Sequence, residues 1–231
     1  PIDYLRLVTL PLLERMNVHA SILLARRGHY PKGGGMVRIT ATPTSALKNI
    51  LGVGSGAVRA VEGVSHSVRL PVAVAERQAV AATRMIEEKS FPSPQIRVEH
   101  SENGLGPGSG IVLCALTSHG GLLGGDSLGE RGRPGEMVGE DAAKTLVEEM
   151  SSGAFLDRHM GDMIVPYVAL AEGVSELSVS QVTLHTLTNA RVAEQVAQVQ
   201  FDPLPEVGKP GRLRVKGLGL RREEVSVSPR E

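Results

Sequence analysis

Three consecutive glycines, Gly33–Gly35, close the segment RRGHYPKGGG and exclude a continuous helix through the region around them. On one side, Ala20–Ala25 is strand-like; on the other, Met36–Thr42 alternates as MVRITAT. Two such runs joined through a glycine-rich turn predict a β-hairpin. The segment also carries Arg26, Arg27 and Lys32 and has the look of a phosphate loop. A Walker loop requires G-x-x-x-x-G-K-[ST] between a strand and a helix. Here the lysine precedes the glycines, no Ser or Thr follows them, and the next segment is a strand. Two readings remain: hairpin glycines that supply positive φ, or exposed backbone N–H groups cradling an anion beside the basic side chains.

The rest of the chain alternates between periodicities. Leu5, Val8, Leu12, Leu13 and Met16 recur at helical spacing over Asp3–Met16. Residues 44–56 are rich in Gly and Ser and read as a connector. Strands are predicted over Val58–Val68, Gln95–His100, Gly110–Thr117, Glu176–Val182 and Arg212–Lys216. Helices are predicted from Pro71 to about Lys89, over Glu136–Met150, over Asp157–Leu170 and over Thr188–Val196. The segment GGLLGGDSLGERGRPG reads as a glycine-dense loop, with Asp126, Glu130 and Arg131 available for an internal lock or for binding. The tail LRREEVSVSPRE is charged and predicted to be loose. The mixture argues for an α+β or α/β fold with more than one sheet.

Composition excludes several function classes. Lys plus Arg and Asp plus Glu balance at 25 each, so no bulk field draws the chain to nucleic acid or membrane, and nucleic-acid contact has to be local. No run of about 20 apolar residues is present to span a bilayer. Cys114 is the single cysteine, which excludes an internal disulfide; in the run IVLCALT it reads as a buried, inert thiol. The seven histidines show no zinc-ligand spacing, so no metal site is predicted.

Two histidines have suggestive settings. His159 lies three residues before Asp162 in LDRHMGDMIVPY, so both face one side of a helix. His185, in SQVTLHTLTNARVAEQ, sits between a strand and a helix. A helix N-terminus offers free N–H groups and partial positive charge, which favour a phosphate. A histidine there can attack phosphorus, with Thr186, Thr188 and Asn189 hydrogen-bonding around it; equally, it can be a cap or a packed core residue.

Taken in order, RGHYPKGGGMV, GGLLGGDSLGERGRP with VGEDAA, HMGDMIVPYVALAEG and LHTLTNARVAEQ closely resemble RNA 3′-terminal phosphate cyclase, from Pro1 to about Phe201. The resemblance implies an α+β architecture of repeated βαβαββ-type units forming a larger domain, with a smaller α+β domain inserted. The insert is expected at about 50–153; residues 1–49 and 154–231 would belong to the larger domain. It implies an enzyme of ligase type that uses ATP and a divalent metal (Mg or Mn) to convert an RNA 3′-terminal phosphate into a 2′,3′-cyclic phosphodiester through an adenylylated histidine. His185 would be the nucleophile. His159, Met160, Gly161, Asp162 and Met163 match the family's adenosine-contacting segment. In it Asp162 would hold the ribose hydroxyls and His159 would border the adenine. Met163 replaces a glutamine amide, which bears on nucleotide affinity and base selectivity. Arg27 and Lys32 are candidates for an RNA or nucleotide phosphate. Partners would be RNA 3′-phosphate ends and ATP, with no membrane, in the cytoplasm, or in the nucleus if eukaryotic. Roughly the first two of the family's units are not represented, so the metal ligand is expected in that part, and the 231 residues alone are expected to be a weak or inactive enzyme. The alternatives are a non-catalytic cyclase-like ribosome-assembly protein, whose relatives lack the histidine, or an inactive truncated remnant.

Overall fold

The computed structural model describes residues 1–221. The predicted loose tail lies almost wholly outside the described residues. The chain opens with a helix of three parts: α1 (Ile2–Tyr4), a π-helical turn (Leu5–Thr9) and α2 (Leu10–Arg15). Pro11, in the first turn of α2, has no N–H to give to the carbonyl of Leu7. The Cys114 thiol approaches that carbonyl at 3.5 Å, and burial raises its pKa, consistent with an inert thiol.

The antiparallel hairpin β1 (His19–Arg26) and β2 (Met36–Thr42) follows, with His19 opposite Thr42. Its connection is more than a glycine turn. His29 bridges Gly33, whose N–H donates to the His29 carbonyl at 2.7 Å, and Arg26 Nε donates to the Gly34 carbonyl at 2.6 Å. Gly33 and Gly34 have φ of 62° and 73°, so these two positions use the freedom only glycine gives without strain.

Two further sheets form the body. In one, β4 (Val58–Val68) is central beside β6 (Gly108–Thr117), flanked by β5 (Gln95–Ser101) and β7 (Leu122–Leu128), in the order β5-β4-β6-β7. Helices α3 (Val72–Glu88) and α4 (Gly135–Ser151) cover one face, around Val61, Ile86, Ile111, Leu113, Leu123 and Leu146. The other face joins a second core, in which Val112 and Cys114 pack with Tyr4, Val8, Leu12, Phe155, Leu156 and Met160. In the other sheet β3 (Leu51–Gly52) runs parallel to β8 (Val174–Val179), and β9 (Gly211–Lys216) antiparallel to it. Helices α5 (Arg158–Met163), α6 (Val165–Leu170) and α7 (Leu184–Ala197) belong with this sheet. The fold is α+β. Read across residues 58–151, the succession β3, α5–α6, β8, α7, β9 is β-α-β-α-β, interrupted by a β-α-β-β-β-α sheet with its own helical layer.

Three sequence expectations are corrected. Leu122–Leu128 of the glycine-dense segment form strand β7. A Cβ on Gly124 would lie 2.3 Å from the Tyr4 ring, and one on Gly125 would lie 2.6 Å from the Ala142 carbonyl of α4. The glycines therefore admit close neighbours on both faces of the sheet, which composition reads as a loop. The helix expected over Asp157–Leu170 is two helices, because Pro166 cannot continue the hydrogen-bond ladder of α5. The last long helix begins at Leu184 rather than Thr188, which places His185 inside its first turn.

Candidate functional site

The site is built where the two larger sheets meet. Leu156 bridges Leu122 of β7 and Val179 of β8; its N–H donates to the Ser178 carbonyl at 3.0 Å, and its carbonyl accepts from Ser180 N–H at 2.9 Å. This stitch delivers the chain to Asp157 in extended geometry. The Asp157 carboxylate accepts from the N–H groups of His159 at 2.9 Å and Met160 at 2.8 Å, which caps α5.

The short helix α5 sorts its residues by face. Met160 is fully buried, and Gly161 lies so close to Val179 that a Cβ would sit 2.4 Å from its side chain. Neither offers a side chain to a ligand, so the expected five-residue adenosine contact narrows to its outward members. His159 is exposed, its ring meeting Tyr4 edge to face at 6.3 Å between centroids. Met163 is partly buried against the core, with Thr9 Oγ1 at 4.0 Å from its sulfur. Asp162 is 9% exposed.

Asp162 joins this segment to α7. Thr183 is the N-cap of α7 and makes a reciprocal capping box with Thr186: Thr186 N–H donates to Thr183 Oγ1 at 3.1 Å, and Thr183 N–H to Thr186 Oγ1 at 3.0 Å. Each hydroxyl has one proton to give, and both give it to Asp162 Oδ1, at 2.6 Å each. Asn189 Nδ2 adds a bond to the Asp162 carbonyl at 2.9 Å. The segments HMGDM and LHTLTN, more than twenty residues apart in sequence, thus form one unit. Of the Asp162 carboxylate, which the resemblance offers to ribose hydroxyls, Oδ1 is committed to the α7 cap. Oδ2 finds no donor among the described residues, so it is the atom left for a ligand.

His185 is the second residue of α7 and is exposed. The N–H groups of Leu184 and His185 find no acceptor among the described residues, while those of Thr186 and Leu187 are bonded to Thr183. An exposed imidazole therefore stands beside free N–H donors at the positive end of a 14-residue helix. Thr188, expected to hydrogen-bond around His185, is exposed and makes no side-chain hydrogen bond among the described residues.

The opening segment RRGHYPKGGG does not join this unit. Arg27 is locked between two carboxylates, with Nη1 at 2.5 Å from Asp3 Oδ2 and Nη2 at 2.6 Å from Glu99 Oε2. With its side chain 10% exposed and both ends paired, Arg27 is a brace between the hairpin, α1 and β5 rather than a free phosphate ligand. Lys32 is exposed, its stem close to Gly106, and forms no ion pair among the described residues. The hairpin connection packs on the four-stranded sheet and its loops: Gly34 lies against Leu105, and His29 against Gly108 and, at 5.3 Å between ring centroids, His66. Burial, then Arg27 and His29, push His66 down to about 3, against a smaller opposing pull from Asp3.

Sequence reasoning missed Thr183 and Asp157. Both carried a signal: Thr183-x-x-Thr186 and Asp157 each stand at the N-cap position before a helical run.

The sequence profile of the RNA 3′-terminal phosphate cyclase family matches residues 1–202. The chain belongs to the RNA 3′-terminal phosphate cyclase family. Curated relatives carrying that name include those of Pyrobaculum aerophilum, 44% identical over 222 residues, Ignicoccus hospitalis, 45% over 227, and Methanopyrus kandleri, 43% over 223. The alignments cover 96%, 96% and 95% of this chain and 63%, 64% and 63% of the relatives. The chain thus spans a little under two thirds of the length of these cyclase-family relatives. Among the described residues, no helix is long and apolar enough to cross a membrane.

Proposed function

We propose that this protein takes part in ATP-dependent conversion of an RNA 3′-terminal phosphate to a 2′,3′-cyclic phosphodiester, with His185 as the residue that carries AMP. One observation supports this most: Asp162 Oδ1 holds both cap hydroxyls of α7 at 2.6 Å, so the adenosine segment and the candidate nucleophile form a single rigid unit. The imidazole of His185 attacks the α-phosphorus of ATP; a P–N bond forms and the bond to pyrophosphate breaks. The free N–H groups of Leu184 and His185 face charge that builds on the phosphoryl oxygens. AMP then passes to the RNA 3′-phosphate, which breaks the P–N bond and forms an anhydride. The neighbouring 2′-hydroxyl attacks that phosphate and expels AMP.

Asp162 has two tasks in this reading. Oδ1 orients the first turn of α7, and Oδ2 accepts from a ribose hydroxyl. His159 borders the base and Met163 lies beyond it; Lys32 is retained as a contact to RNA phosphate, and Arg27 is not. A divalent metal would neutralise the departing pyrophosphate. Among the described residues no group of three or more His, Cys, Asp or Glu side chains is placed to hold one, so no step is assigned to it. A cytoplasmic setting, nuclear if the source is eukaryotic, belongs to the same reading.

The test is incubation of a chain of the relatives' full length that contains these residues with α-labelled ATP and a divalent metal; the 231 residues alone are expected to label weakly. Label should be attached through a phosphoramidate, labile to acid and stable to base, and His185→Ala should lack it. Label that persists in that variant, or that survives acid, overturns the assignment.

A further inference from the structure

The segment that carries His159 and Asp162 hangs from one buried carboxylate that belongs to neither motif. Asp157 is fully enclosed. Besides the two N–H groups of α5, it accepts from Tyr4 Oη, 2.7 Å from Oδ1 and 2.8 Å from Oδ2, and from Gly124 N–H, 2.7 Å from Oδ2. Four donors from three places in the sequence therefore converge on it: the opening helix, strand β7 of the inserted sheet, and α5. The contact explains part of the glycine pair in β7, since a side chain at Gly124 would occupy the space of the Tyr4 ring. That same ring meets His159 edge to face.

We infer that Asp157 is a positioning residue: through Tyr4 and Gly124 it sets His159 and Asp162 relative to the inserted sheet, so that this sheet is a working part of the nucleotide site. The inference rests on the nucleotide reading above for its functional half and on the geometry alone for its structural half. Four donors on two oxygens favour the ionised carboxylate, against the cost of its burial. Burial raises Asp157, the donors from Met160, Tyr4 and Gly124 lower it, and the buried carboxylate of Glu149 raises it, for a net value of about 6. The Tyr4 phenol is held well above its usual range by burial and then by Asp157, so it remains a donor.

The experiment uses the 231-residue chain with Tyr4→Phe, Asp157→Asn and, as a control, Ile86→Val, which trims a fully buried side chain in the separate core under α3 and α4. Three readouts are taken: the His159 ring resonances by NMR, amide exchange of His159, Met160 and Gly124, and equilibrium binding of ATP. Tyr4→Phe and Asp157→Asn should each shift the His159 resonances, speed exchange at those three amides, and weaken ATP binding about ten-fold, as misplacement of a positioned group does. Ile86→Val should lower the unfolding temperature without moving any of the three. Unchanged His159 resonances and exchange in Tyr4→Phe and Asp157→Asn overturn the positioning role, as does an equal response to Ile86→Val. If those readouts move as expected while neither variant changes ATP binding, the link from Asp157 to the nucleotide site fails and the positioning of His159 by Asp157 stands.

Discussion

The N-termini of α5 and α7 use the same capping chemistry for opposite ends. At α5 an acidic cap, Asp157, is sealed on every side: its oxygens take N–H groups from its own helix, a phenol from the opening helix and an amide from β7. At α7 the cap is Thr183, its box is closed by Thr186, and a second carboxylate, Asp162, supports both hydroxyls from below. The upper side of that turn stays open, with His185 exposed and two N–H groups unsatisfied. A helix N-terminus has four orphan donors. At α5 protein groups take three of them, from His159, Met160 and Gly161; at α7 they take two, from Thr186 and Leu187, and the two left free lie beside the exposed imidazole of His185.

The sharpest way to break this comparison is to remove each carboxylate in turn. Asp157→Ala strands four buried donors, and at about 1 kcal/mol or more for each the loss should reach roughly 3–5 kcal/mol in urea unfolding. Asp162→Ala leaves two hydroxyls that can turn to other acceptors, and should cost about 1–2 kcal/mol. Equal losses would mean that the two turns do not differ as described.

Acid titration sharpens the contrast further. Asp157 sits at about 6 in the folded chain against an ordinary 3.8, so the stability linked to its protonation is present below about 4 and is lost as pH rises through 6, apart from the hydrogen bonds it accepts. His66 sits at about 3 against an ordinary 6.5, so its contribution is present above 6.5 and is lost as pH falls toward 3. The two slopes oppose each other between about pH 4 and 6. His66→Gln should therefore leave stability that falls as pH rises across that window, on the order of 3 kcal/mol. Asp157→Asn should leave stability that falls as pH drops. Parallel curves for the two variants and the wild type would remove both assignments.

Smaller effects test the α7 turn. Thr183→Val removes the cap oxygen and one donor to Asp162, and should cost about 1 kcal/mol. It should also slow AMP labelling of His185, because the imidazole loses its fixed first turn; normal labelling would separate cap from chemistry. His185→Ala itself should change stability by no more than about 0.5 kcal/mol, since the side chain is exposed and bonded to nothing among the described residues, while label is lost. A large stability loss would make His185 a structural residue and not a nucleophile.

What the sequence determined by itself is local. Periodicity located β2 and β4, and Pro71 marked the start of α3, because strand alternation and a fixed proline φ are properties of neighbouring residues. The motifs HMGDM and LHTLTN and the family resemblance named Asp162 and His185 without any knowledge of distance. Tertiary structure decided the partners. Arg27, basic and beside a glycine run, reads as a phosphate ligand until Asp3 and Glu99 are seen to close on it from two other elements. Gly124 and Gly125 read as a loop until Tyr4 and α4 are seen pressed to either face of their strand. Asp162 reads as a free carboxylate until two threonine hydroxyls from more than twenty residues away are seen to take Oδ1 and leave only Oδ2. In each case the residue's chemistry was legible and its partner was not, because a hydrogen bond or a close approach depends on which atoms lie within about 3 Å, and chain separation does not record that.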